Sequence, residues 1–99
     1  MEEILNAYKF TAEKYIEDDG SVTLSLNGID LVENGEDEQK AKMALGKAIL
    51  EYSADYYNDY AFYSHSPNRK GHIPYIFKAL LMDSPERIGE SILITTYKK

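Results

Sequence analysis

The chain has 99 residues, of which 43 % are hydrophobic and 28 % are charged, and its formal net charge is -6. This length and composition predict one folded domain and exclude a disordered chain, and the acidic balance argues against a free-standing nucleic-acid-binding protein. The absence of cysteine excludes disulfides and thiolate chemistry, and the sequence shows neither a membrane-spanning run nor a signal-peptide start, so we expect a cytoplasmic protein.

Three short strands are predicted near the start of the chain. Residues 8–16 and 21–26 alternate between apolar and polar side chains, which is the pattern of half-buried strands. Gly20 suits the turn between them, and Asn27-Gly28 is a typical two-residue hairpin sequence that leads to a third strand over residues 29–33. Together these segments predict a three-stranded antiparallel meander.

A long amphipathic helix is predicted next. Its apolar residues recur at helical spacing and form one stripe, made of Ala41, Ala44, Leu45, Ala48, Ile49, Tyr52 and Tyr56. Asp37 suits the N-cap of this helix, which should end near Asn58. We expect the stripe to cover the inner face of the meander, with Gly46 marking a close approach of the helix to the sheet.

Shorter helices and a further strand or helix are predicted after the long helix. Residues 61–72 are polar and rich in turn formers, and a second helix should run from Ile73 to about Asp83. Ser84 and Pro85 are typical of the start of a short third helix. Residues 91–97 are rich in isoleucine and threonine and are compatible with either a fourth strand or a helix.

The predicted fold is therefore a single α+β domain over residues 1–99. A three-stranded antiparallel meander packed by the long helix occupies about residues 8–58. The C-terminal segment, about residues 66–99, contributes one or two shorter helices and can include the fourth strand.

Acidic residues are concentrated in the first part of the chain. Residues 1–62 contain 14 acidic and 5 basic residues, whereas residues 63–99 contain 3 acidic and 6 basic residues. Glu51, Asp55 and Asp59 are spaced four apart and so share one side of the long helix. Such a stripe is either a solvated surface or a docking surface for a basic partner protein.

The nine tyrosines exceed ordinary usage. Tyr52 and Tyr56 belong to the predicted core stripe, but Tyr57, Tyr60 and Tyr63 cannot all share that face. Because tyrosine is a frequent anchor at protein interfaces, these three are candidate partner-binding residues together with the acidic stripe.

The basic cluster of the chain lies between the two longer helices and includes both histidines. Its candidate residues are His65, Asn68, Arg69, Lys70 and His72. Two interpretations stay open: a structural loop in which Arg69 or Lys70 pairs with the acidic stripe, and a loop that binds an anion.

The sequence contains no motif of a catalytic or metal site. The seven-residue spacing of His65 and His72 does not match a pair of ligands on one helix face. Glycine-rich phosphate loops and serine-nucleophile motifs are also missing. We therefore predict a non-enzymatic protein with no metal and no cofactor.

The order of strand, Gly20 turn, strand, Gly35-Glu36-Asp37 cap and amphipathic helix resembles the HicB-like antitoxin domain of bacterial toxin–antitoxin systems. The segment from Tyr63 to Tyr75, in which a Pro-Asn-Arg-Lys loop precedes a leucine-rich helix, is similar to antitoxins of the RelB/RelE type. This resemblance implies a partner protein that the chain neutralises, usually a small basic ribonuclease of the RelE or HicA kind. The third strand of the HicB pattern contains a Pro-Gly-Cys-like segment, whereas this sequence has Asn-Gly-Ile-Asp-Leu at residues 27–31. The sequence also shows no ribbon-helix-helix or helix-turn-helix segment.

Our first hypothesis is thus a protein-binding module, an antitoxin that masks a basic toxin, with a homodimer also open. A structural homo-oligomer that associates through the edge of the first strand or through the tyrosines is an alternative. Another is a small anion-binding domain or enzyme that uses the loop from His65 to His72.

Overall fold

The computed structural model describes residues 8–65 and 70–98. Its strands are β1 (Thr11–Ile16), β2 (Val22–Leu26), β3 (Val32–Gly35) and β4 (Leu93–Lys98), and its helices are α1 (Glu38–Asn58), α2 (Tyr60–Ser64), α3 (Ile73–Met82) and α4 (Pro85–Ser91). A 3₁₀ turn, Lys70–His72, leads into α3. The α+β class and the two shorter C-terminal helices are confirmed, whereas α2 lies where the sequence predicts an irregular connection.

Within the described ranges, the four strands form one sheet in the order β3-β2-β1-β4. β2 is antiparallel to both β1 and β3, as the predicted meander requires, and β4 runs parallel to β1. β1 is therefore an inner strand whose second edge is covered by β4. The expectation that the first strand offers an edge for self-association is wrong, because that edge is already paired.

β3 begins later than the sequence predicts. Ser25 pairs with Val32, and the Leu26 N–H donates to the Leu31 carbonyl at 2.9 Å. Residues 27–31 therefore form a loop instead of a two-residue hairpin at Asn27-Gly28.

Tertiary contacts explain this difference in β3. Ile29 reaches the core from the loop and is 6 % exposed. The Asn27 side chain donates to the Thr11 hydroxyl at 2.9 Å and to the Thr95 hydroxyl at 3.0 Å, which ties the loop to β1 and β4. Because both contacts involve distant parts of the chain, the local turn sequence could not indicate them.

The core lies between the sheet and the helices. Its buried residues come from β1, β2 and the adjoining segments on one side, and from α1, α3 and α4 on the other: Phe10, Ala12, Val22, Leu24, Leu26, Ile29, Ala41, Leu45, Ile49, Ala79, Ile88 and Ile92. The apolar stripe of α1 thus covers the meander as predicted. Asp37 caps α1, since its carboxylate accepts the Lys40 N–H at 2.8 Å.

Gly46 marks a close approach to α4 and not, as expected, to the sheet. A Cβ at this position would lie 2.3 Å from the Pro85 carbonyl oxygen and 2.7 Å from the Gly89 nitrogen. A Cβ on Gly89 would in turn lie 2.6 Å from the Lys42 carbonyl oxygen. The two helices therefore cross with their backbones in contact, which only residues without a side chain allow.

An ion pair connects the sheet to the start of α1 and gives stability a pH dependence. Lys14 Nζ lies 2.8 Å from Glu38 Oε1, and this hydrogen bond holds the pKa of Glu38 below its usual 4.5. A lowered folded-state pKa stabilises the protein above about pH 4.5, and this contribution is lost as the pH falls through the folded-state pKa. Because the Glu38 side chain is 40 % exposed, we expect less than about 1 kcal/mol at neutral pH.

Glu38→Gln should therefore be slightly less stable than the parent at pH 7, and the two should converge at an acidic pH at which Glu38 is protonated in the folded state. Urea denaturation at both pH values measures this difference. Glu36→Gln is the matched control, because the pair that Glu36 makes with Lys40 is exposed. An equal loss for Glu38→Gln at the two pH values would contradict the assignment.

Candidate functional site

The predicted acidic stripe is exposed along the C-terminal half of α1. We call Glu51, Asp55 and Asp59 the acidic flank; all three side chains are exposed. Asp55 lies in the last turn of α1 and Asp59 is its C-cap, where the helix dipole places partial negative charge. No lysine or arginine occurs between Lys47 and Arg69. The acidic flank therefore carries negative charge that neither the dipole nor a neighbouring residue in the sequence offsets.

An aromatic cluster adjoins the end of α1. Tyr56 is completely buried, and Tyr63 of α2 stacks on it with ring centroids 5.2 Å apart. Tyr60 meets the edge of Tyr56 at 6.2 Å and is 44 % exposed, and Phe62 is 65 % exposed. Tyr63 is thus a packing residue at the base of this cluster, whereas Tyr60 presents part of its ring to solvent next to Asp59.

Tyr57 is separated from the acidic flank. It is 62 % exposed, but it follows Asp55 by two residues, which places it about 160° around the helix. The structure therefore brings Tyr60 and Tyr63 close to the acidic flank and leaves Tyr57 on the opposite flank of α1. Exposure of Tyr57 alone does not make it part of the same surface.

The histidines of the basic cluster lie in different settings. His72 Nδ1 is 2.9 Å from the Tyr52 hydroxyl, so His72 packs against α1, whereas His65 is exposed at the end of α2. Lys70 begins the 3₁₀ turn. Asn68 and Arg69 lie outside the described residues.

A cavity of about 570 Å³ lies between the loop that follows β2 and the inner side of α1. Its lining consists of Leu26, Gly28, Ile29, Asp30, Leu31, Tyr52 and His72. The sequence could not indicate this cavity. The spacing of Tyr52 on the helix predicts a core residue, and its partner His72 lies 20 residues away in the chain. Among the described residues that line the cavity, Asp30 carries the one carboxylate.

The described residues give no indication of a metal centre or a membrane span. Nowhere among them do three histidine, aspartate or glutamate side chains come together in a group that could hold a metal ion. Each helix in the same ranges is too short or too polar to cross a lipid bilayer.

A protein family and a solved structure are similar to this chain. The sequence matches, over residues 1–94, the PHD-like family described as the antitoxin of the RelE/RelB toxin–antitoxin system. The fold is similar to a crystal structure described as the antitoxin part of a proposed toxin/antitoxin system from Syntrophomonas wolfei subsp. wolfei. The TM-score is 0.86 and the sequence identity 37 %, and the match covers 95 % of this chain and 67 % of that chain.

No curated protein matches the chain. The family match nevertheless spans nearly its whole length, and it confirms the resemblance to antitoxins of the RelB/RelE type. The chain belongs to the PHD-like family of antitoxins of RelE/RelB toxin–antitoxin systems.

Proposed function

We propose that this chain acts without catalysis, as an antitoxin that binds a basic toxin through the acidic flank and the adjoining Tyr60. The toxin would be a small ribonuclease of the RelE or HicA kind. The observation that carries the proposal is the row of three exposed carboxylates on the C-terminal half of α1, of which Asp55 and Asp59 lie at the negative end of the helix dipole. Such charge lowers the stability of the free helix, and a cationic partner would relieve it.

The acidic flank favours a protein partner over a nucleic acid. Phosphate groups would be repelled by Glu51, Asp55 and Asp59, whereas lysine and arginine side chains of a toxin would be attracted. Complementary charge of this kind speeds association and fixes the orientation of the partner. Tyr60, half in solvent and supported by Tyr56, would supply an aromatic contact beside these charges.

Reversing the charge at Asp55 and Asp59 tests this proposal. The double variant Asp55→Lys/Asp59→Lys should be more stable than the parent, by about 0.5–2 kcal/mol, because cations suit the C-terminal end of a helix. The same variant should bind the toxin at least about tenfold more weakly, mainly through slower association, and with less dependence on salt. Thermal unfolding measures the first effect. Surface plasmon resonance against the product of a neighbouring small basic reading frame measures the second.

Glu90→Lys is the matched control. Glu90 is exposed in the last turn of α4, so this substitution also places a cation at a helix C-terminus, but away from the acidic flank. We expect it to leave toxin affinity unchanged. Equal affinity of the Asp55→Lys/Asp59→Lys variant and the parent would rule out the acidic flank as the docking surface.

A further inference from the structure

The cavity described above adjoins the acidic flank. Tyr52 lines the cavity, and Asp55 follows it by three residues on α1, so the two side chains are neighbours on the helix surface. A protein docked on the acidic flank would therefore come close to the cavity.

The wall of the cavity opposite α1 is fixed by backbone hydrogen bonds. The Leu26 N–H donates to the Leu31 carbonyl at 2.9 Å, the Leu31 N–H to the Ile29 carbonyl at 2.7 Å, and the Asn27 N–H to the Thr11 carbonyl at 2.8 Å. On the facing side, the contact of 2.9 Å between the Tyr52 hydroxyl and His72 Nδ1 holds both rings. The cavity is therefore formed before any ligand binds, which lowers the entropic cost of binding.

The lining indicates the chemistry of the occupant. Half-buried Leu31, with the few exposed atoms of the core residues Leu26 and Ile29, forms an apolar wall, and Asp30, which is exposed, places one carboxylate on the loop. An anion is disfavoured by Asp30. An arginine side chain suits this combination, because its aliphatic stem packs on apolar groups and its planar, weakly hydrated guanidinium pairs with a carboxylate.

We propose that this cavity receives an arginine side chain of the toxin. The inference depends on the proposed function for the origin of the arginine, but the cavity can be tested without the toxin. Asp30 binds the guanidinium, and the apolar wall accommodates the stem. Because buried arginines are frequent anchors at interfaces, this contact would add a fixed point beside the more diffuse attraction of the acidic flank.

The test is a titration of the full chain with N-acetyl-arginine amide, followed by two-dimensional ¹H–¹⁵N NMR at constant ionic strength. We expect saturable shifts of the Asp30, Leu31 and His72 amides, with a dissociation constant on the order of millimolar for so small a probe. N-acetyl-citrulline amide, an uncharged analogue of nearly the same shape, should bind at least about tenfold more weakly.

Two variants test whether the Asp30 carboxylate is responsible for binding the arginine probe. Asp30→Asn should reduce binding of the arginine probe to the citrulline level, whereas Asp18→Asn, an equal change of charge in the turn between β1 and β2, should have no effect. Equal binding of the two probes, or an unchanged affinity in Asp30→Asn, would overturn the proposal. The probe and the toxin test different claims. If the arginine probe binds as expected but the product of the neighbouring basic reading frame does not bind the chain, the proposed function is wrong, whereas the preference of the cavity for arginine is supported.

Discussion

Gly46→Ala is expected to lower the free energy of unfolding by about 2–3 kcal/mol, although alanine is ordinarily the better residue inside a helix by about 1 kcal/mol. The new methyl group would lie 2.3 Å from the Pro85 carbonyl oxygen. Because that oxygen belongs to a backbone, it cannot turn aside as a flexible side chain would. The clash must move α4 away from α1 and separate Ile88 from the core.

Urea denaturation of Gly46→Ala, Gly89→Ala, the double variant and one control checks this expectation. Gly89→Ala should behave like Gly46→Ala, since its methyl group would lie 2.6 Å from the Lys42 carbonyl oxygen. The double variant should lose less than the sum of the two, because one outward shift of α4 relieves both clashes. Gly71→Ala is the control, as no described atom lies within 4 Å of its Cβ. Parental stability of Gly46→Ala would show that the two backbones are not in contact.

Tyr56→Ala is expected to cost about 3–5 kcal/mol, which is typical for removal of a fully buried aromatic side chain. Tyr56 is completely buried, and its ring contacts Tyr52, Tyr60 and Tyr63 at centroid distances of 6.0, 6.2 and 5.2 Å. Loss of this ring would leave a cavity at the end of α1 and remove the platform on which α2 packs. The near-ultraviolet circular dichroism of the tyrosines should weaken in parallel.

The neighbouring residue supplies the control for this variant. Tyr57→Ala removes the same side chain one position later, but Tyr57 is 62 % exposed, so we expect a change within about 0.5 kcal/mol. Denaturation of both variants under one set of conditions makes the comparison. Similar losses for Tyr56→Ala and Tyr57→Ala would contradict the burial of Tyr56.

Elements encoded by local sequence were predictable. The limits of α1 follow from the Asp37 cap and from the end of the apolar stripe near Asn58, and both are local signals. The parallel pairing of Thr11 with Leu93 has no local signal, since alternation of side chains does not say which strand lies alongside. For the same reason Gly46 indicated a close approach but not that α4 is the partner.

Only part of the candidate site was predictable from the sequence. Helical spacing was sufficient to place Glu51, Asp55 and Asp59 together, and the same geometry separates Tyr57 from them. The cavity was not predictable, because Asp30, Tyr52 and His72 come from three separate segments that only the fold brings together.

The position of β4 has a consequence for synthesis. β1 pairs with β2 soon after it is made, but its other edge stays open until residues 93–98 have left the ribosome. Pairings so distant in sequence are slow to form, and an open edge invites association with other chains. The acidic flank, at residues 51–59, is synthesised before the strand that closes the sheet. Until β4 forms, β1 is therefore paired on one side only, and its second edge is open to other chains.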